Sequence, residues 1–118
     1  MTQDTLIEDR TFKFALRFVK AYKYLREQKN EYVLSKQMLR SGTSIGAMMR
    51  EAIFAQSRAD FVSKTSIALK EANETKYWLV LLHESETISD DEFHSIENDI
   101  NTIIGTLIII IKKKKGLV

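Results

Sequence analysis

The sequence predicts an all-α protein, an antiparallel up-and-down four-helix bundle forming one domain over residues 1–118. Three observations carry that expectation. The chain has no proline and only four glycines, so little in it interrupts long helices. Apolar residues recur at steps of three and four along four long segments, and no strand-like alternation competes. The stretches between these segments are short, and short connections make neighbouring helices antiparallel.

The first helix is expected at about 4–29, where Phe14, Phe18, Tyr22 and Leu25 recur at helical spacing beside Ala15, Val19 and Ala21. Another face carries Arg10, Lys13, Arg17, Lys20 and Lys23, a basic stripe at steps of three and four. Asn30, Glu31 and Tyr32 form the expected turn. The second helix, at about 33–56, has apolar positions at Leu34, Met38, Ile45, Met48, Met49, Ile53 and Phe54. Ser57 is placed to cap the third, at about 59–84, whose inner face of Phe61, Ala68, Ala72, Thr75, Leu79 and Leu82 is narrow and small.

Ser89 followed three residues later by Glu92 has the pattern of a capping box, and Asp90 and Asp91 favour the positive end of a starting helix. The fourth helix is therefore expected at about 90–114, with Phe93, Ile96, Ile100, Ile103, Ile104, Leu107 and Ile111 on its inner face. The lysines at 112–115 complement its negative end, and Gly116 can stop it. Ile108, Ile109 and Ile110 leave this helix apolar on more than one face. A small bundle cannot bury every side of an outer helix, so the excess points to a subunit interface in a homo-oligomer.

Composition excludes several classes. Apolar residues make up 44% and charged residues 29%, ordinary for a soluble globular chain. With no cysteine, disulfides, thiol catalysis and thiolate metal sites are excluded, and a cytoplasmic location is expected. The polar, acidic start MTQDTLIEDR lacks the pattern of a secretory signal. The most apolar run, IIGTLIIII at 103–111, falls well short of the roughly 20 residues a spanning helix needs, so no membrane partner is expected. Net charge is only +2 but uneven: residues 4–29 hold seven Lys/Arg against four acids, and 86–111 hold six acids and no Lys or Arg.

The stretch RSGTSIGAMMREA, 40–52, has the glycines of a phosphate-cradling loop but neither the preceding strand nor the terminal Lys-Ser/Thr such a loop requires. In a helix, Gly42 and Gly46 share a face and let a neighbouring backbone approach. Each glycine costs about 1 kcal/mol of helix propensity, so a packing gain must offset it. A di-metal centre of the bundle type needs a Glu three residues before each of its histidines, and neither His83 nor His94 has one, so no metal or other cofactor is expected. Glu71 and Glu74 share a face with Ile67 and Trp78, and could perform acid–base chemistry if burial raised their pKa values. The favoured reading pairs them with Arg40, Arg50 or Arg58, within the bundle or across a subunit interface. A metal-binding or carboxylate-based enzyme of the bundle core is thus the alternative to a non-enzymatic binding module. The basic stripe can be a solvated face or a phosphate-binding surface for RNA or DNA, with Lys112 to Lys115 adding to it.

QMLRSGTSIGAMMREA at 37–52 and SRADFVSKTSIALKEANETKYWLVLL at 57–82 resemble the four-helix bundle family of 23S rRNA-intervening-sequence proteins. The resemblance rests on Arg40-Ser41, Ser44-Ile45, Glu51-Ala52, Asp60-Phe61, the Ala68 to Ala72 run and Glu74-Thr75 with Trp78-Leu79. It implies a left-handed bundle assembled as a homopentamer. It also implies a likeness to the accessory protein of diversity-generating retroelements, which binds a reverse transcriptase and nucleic acid. The family's shared Arg and Glu positions fall on Arg40, Glu51, Glu71 and Glu74, read here together with Arg50 as bundle and interface ion pairs.

Overall fold

The structure, a computed structural model, describes residues 3–117 and contains four α-helices and no strand among them. They are α1 (Gln3–Lys29), α2 (Leu34–Ile53), α3 (Arg58–Glu84) and α4 (Asp90–Lys114). Each packs on the next, and α4 returns against α1 in the loosest of the four seams. A 27-residue helix is about 40 Å long, and the bundle measures 45 × 23 × 22 Å.

Local chemistry sets the helix ends. Asn30 turns the chain out of α1 with φ 54°, a left-handed conformation that asparagine tolerates, and the Glu31 N–H bonds back to the Leu25 carbonyl at 2.9 Å. The Glu31 carboxylate then accepts from the Val33 N–H at 3.0 Å and from the Leu34 and Ser35 N–H groups, satisfying the first free donors of α2. Ser57 caps α3 through the Asp60 N–H at 3.0 Å, as its position predicts. The Ser89–Glu92 capping box is complete, with Glu92 N–H to Ser89 Oγ at 3.1 Å and Ser89 N–H to Glu92 Oε1 at 2.8 Å. Gly116, at φ 73°, closes α4, and the Leu117 N–H reaches the Lys112 carbonyl at 2.8 Å.

One boundary differs from expectation. Helix α2 stops at Ile53, three residues earlier than the apolar pattern suggests, because the Ala55 N–H bonds to the Ala52 carbonyl at 3.1 Å in a tight turn that leads to the Ser57 cap. Phe54 therefore leaves the apolar face and is 77% exposed.

Ile7, Phe14, Phe18 and Leu25 of α1 meet Met38, Ile45 and Met49 of α2, Ala68, Ala72, Leu79 and Leu82 of α3, and Ile100, Ile103, Leu107 and Ile110 of α4. Small residues set the spacing. A Cβ at Gly42 would lie 2.6 Å from Cδ2 of Phe18, and one at Gly46 would lie 3.1 Å from the Thr11 carbonyl oxygen, so α2 takes α1 into direct contact at both positions. Buried hydroxyls are satisfied within this packing: Thr75 Oγ1 donates 2.8 Å to the Glu71 carbonyl and lies 2.9 Å from Ser41 Oγ, tying α3 to α2. At the far end of α4 the isoleucine run divides, with Ile110 in the core and Ile108 and Ile109 exposed.

Candidate nucleic-acid interface

The stripe on α1 is not uniform. Arg17 crosses to α4, bonding the Asp99 carboxylate and donating to Ser95 Oγ at 2.9 Å. Lys13 pairs with Asp9 one turn away at 3.0 Å, with both side chains well exposed. Arg10, Lys20 and Lys23 are exposed and form no ion pair among the described residues. The acidic first half of α4 lies beside the second half of α1, so part of the charge asymmetry seen along the chain is cancelled inside the bundle. A groove of about 610 Å³ follows this seam, lined by Leu6, Phe14 and Ile103 and by the charged Arg10, Lys13 and Arg17 together with Asp9 and Asp99. At the other end of α4, Lys114 pairs with Asp4 at 3.4 Å and places its ammonium 4.7 Å from the centre of the Phe61 ring.

Helical spacing marks Tyr22 as an inner-face position but does not single out the aromatic and basic residues of the last turns of α1 as a group. Tyr22, Tyr24, Arg26 and Lys29 stand there with Tyr32 of the following turn, and the Arg26 guanidinium lies 5.5 Å from the Tyr22 ring centre and 5.9 Å from that of Tyr32. The available signal was the alternation of Tyr with Lys and Arg over residues 20–32.

The carboxylates on the other side of the molecule are held as ion-pair partners. Arg40 of α2 bonds Glu74 and reaches Glu71 at 3.4 Å, while Trp78 Nε1 donates 3.3 Å to the same Glu74 oxygen. The hydrogen bond from Arg40, opposed in part by burial and aided by Trp78, holds the Glu74 carboxyl below its ordinary range. That is the reverse of what a general acid at neutral pH requires. Arg50 pairs with Glu8 of α1 rather than with α3, and Glu51 takes Lys64 at 3.4 Å. Arg40, Arg50 and Glu51 are exposed while Glu8, Glu71, Glu74 and Lys64 are half-buried, so each pair adds modest stability and ties neighbouring helices together.

The histidines close the α3–α4 turn. His83 stacks on Phe93 with ring centres 4.1 Å apart and places Nε2 2.6 Å from Asp90, whose carboxyl is held low by that hydrogen bond. His94 lies 6.4 Å from His83 and faces Glu97 at 3.6 Å. No three His, Asp or Glu side chains among the described residues converge as metal ligands. No helix among them is long and apolar enough to cross a membrane.

Acid sensitivity follows from these contacts. The carboxyls of Glu74, Asp90 and Glu92 all sit below their ordinary values of 4.5, 3.8 and 4.5, Glu92 chiefly through the Ser89 backbone N–H. A folded-state pKa below the unfolded one gives stability that is present above the unfolded value and is lost as pH falls through the folded value. The melting temperature is expected to fall as pH drops below about 4, and Glu92→Gln should flatten that fall. Identical acid profiles for both proteins in thermal melts would remove the capping box as a contributor.

Fold and site together define an all-α four-helix bundle with charged outer faces. The chain belongs to the 23S rRNA-intervening sequence protein family, whose model matches residues 3–108. A crystal structure from Bacteroides thetaiotaomicron, described as a protein with unknown function from the S23 ribosomal protein family, is 54% identical. It superposes with a TM-score of 0.92, covering 94% of this chain and 99% of the other. No curated protein matches the chain.

Proposed function

We propose that the protein is a non-enzymatic, cytoplasmic homo-oligomer that binds nucleic acid, or an enzyme acting on nucleic acid, along the basic face of α1. The observation that carries this reading is the set of three exposed cations on one helix, Arg10, Lys20 and Lys23, that form no ion pair among the described residues. Such a row suits a phosphate backbone, because binding there releases condensed counterions. The family's description, which ties it to an intervening sequence of 23S rRNA, supports nucleic acid over other polyanions.

Two unlike apolar surfaces support assembly. One is a groove of about 320 Å³ between α1 and α2, lined mainly by Phe12, Ala15, Gly46 and Ala47, with the paired Glu8 and Arg50 also lining it. The other is formed by Ile108 and Ile109 on α4, near Gly105, whose surroundings are open. Different patches on one chain favour head-to-tail contacts, which close into rings such as a pentamer. A ring repeats the basic face around its circumference.

The test is binding to a labelled RNA or DNA oligonucleotide at about 50 mM salt, read across a salt series. Arg10→Glu, Lys20→Glu and Lys23→Glu together should weaken binding at least about tenfold and reduce the slope of log K against log salt by about 3. Arg17 is left intact because it holds α1 to α4. An unchanged affinity and slope would sink the basic-face reading, and a one-chain mass by light scattering would sink the oligomer.

A further inference from the structure

The last turns of α1 differ from the rest of its basic face in carrying aromatic rings. Tyr24 and Tyr32 are 38% and 54% exposed, and Lys20, Lys23, Arg26 and Lys29 stand beside them with Glu27 as the sole acid of that stretch of helix. The contacts fall in two groups, because side chains two apart on a helix, such as Tyr22 and Tyr24, do not face each other. Arg26 lies between the Tyr22 and Tyr32 rings and donates 3.2 Å to the Tyr22 hydroxyl, and the Lys29 ammonium is 6.0 Å from the Tyr24 ring centre. Tyr32 is further held by its hydroxyl, which donates to Asn30 Oδ1 at 3.2 Å.

Apart from Glu27, the nearby acids are already engaged. Glu31 is turned to the backbone N–H groups that open α2, and Glu92 is turned to Ser89 at the start of α4. Helix capping therefore draws both carboxylates towards backbone donors. The end of α1 is left with four cations, one of them lodged between tyrosine rings, and with aromatic faces open to solvent.

A duplex keeps its bases stacked on one another and offers a protein surface mainly phosphates. A single strand offers phosphates and free base faces together, and exposed tyrosines beside cations match both. We infer that the Tyr22–Tyr32 end of α1 is a stacking platform for unpaired bases, so that the ligand of the basic face is single-stranded nucleic acid. Tyr24 and Tyr32 take the bases, while Lys20, Lys23, Arg26 and Lys29 hold the flanking phosphates. The inference rests on the basic-face reading and narrows it.

Fluorescence anisotropy with labelled oligouridylate and oligothymidylate of about 16 nucleotides, and with a duplex of equal length, tests it. The native protein should bind one of the single strands about tenfold more tightly than the duplex at the same salt. Tyr24→Ala with Tyr32→Ala should lower single-strand affinity about tenfold or more while leaving duplex affinity and the salt slope unchanged. Tyr24→Phe with Tyr32→Phe keeps the rings and should bind like the native protein, which separates stacking from loss of fold. Equal binding of duplex and single strand, with the alanine variant unaffected, would overturn the platform and leave the basic-face reading standing. Absence of binding to every probe at low salt would overturn both.

Discussion

Replacing Phe18 with alanine is expected to lower stability by about 3–5 kcal/mol. Phe18 is fully buried, with its ring edge-on to Phe14 at a centre distance of 4.5 Å and its face over Gly42. Truncation removes the transfer free energy of the ring and leaves a void in the core beside Gly42 of α2. The void cannot collapse easily, because α1 and α2 already touch backbone to backbone at Thr11 and Gly46. Denaturant unfolding at fixed protein concentration reads the loss as a lower midpoint at unchanged slope. A loss below about 1 kcal/mol would mean that Phe18 is not packed as described.

The second large effect concerns Gly42 and is opposite in sign to what helix propensity suggests. Alanine is favoured over glycine by about 1 kcal/mol in a helix interior. At Gly42, however, the new methyl would fall 2.6 Å from Cδ2 and 2.7 Å from Cγ of Phe18, a fully buried ring. Overpacking of this kind costs about 1–3 kcal/mol, so Gly42→Ala should destabilise on balance. In a Phe18→Ala background the obstructing atoms are gone, and the same substitution should become neutral or stabilising. The double-mutant cycle should show a coupling of about 0.5–3 kcal/mol between the two positions. Additive effects would place the ring elsewhere.

The two positions also show how much was legible in the chain. Gly42 and Gly46, four apart, implied a close helix approach before any partner was known, because spacing alone puts them on one face. Which helix approached was not legible: only the packed bundle puts Phe18 over one glycine and the Thr11 carbonyl over the other. The ion pairs behaved similarly. Arg40, Glu71 and Glu74 stood at spacings that allow pairing, and they meet. Arg50 had equal claim to them by sequence but sits against Glu8, since α2 turns that side toward α1. Arg17 read as one more member of a basic stripe, while its guanidinium is spent on Asp99 and Ser95, 82 and 78 residues away.

Four helices, their caps at Ser57 and Ser89, the stop at Gly116 and most of the inner face were determined by the sequence itself. These features depend on contacts within about four residues, which a linear pattern records directly. Tertiary structure decided what depends on distant partners. It ended α2 at Ile53, turned Phe54 into solvent, and divided a run of isoleucines so that Ile110 is buried while Ile108 and Ile109 face outward. Successive residues in a helix point about 100° apart, so an all-apolar run carries no phase of its own. The neighbouring helices supply that phase, and they likewise leave Tyr24, Tyr32 and the cations of α1 on the outside.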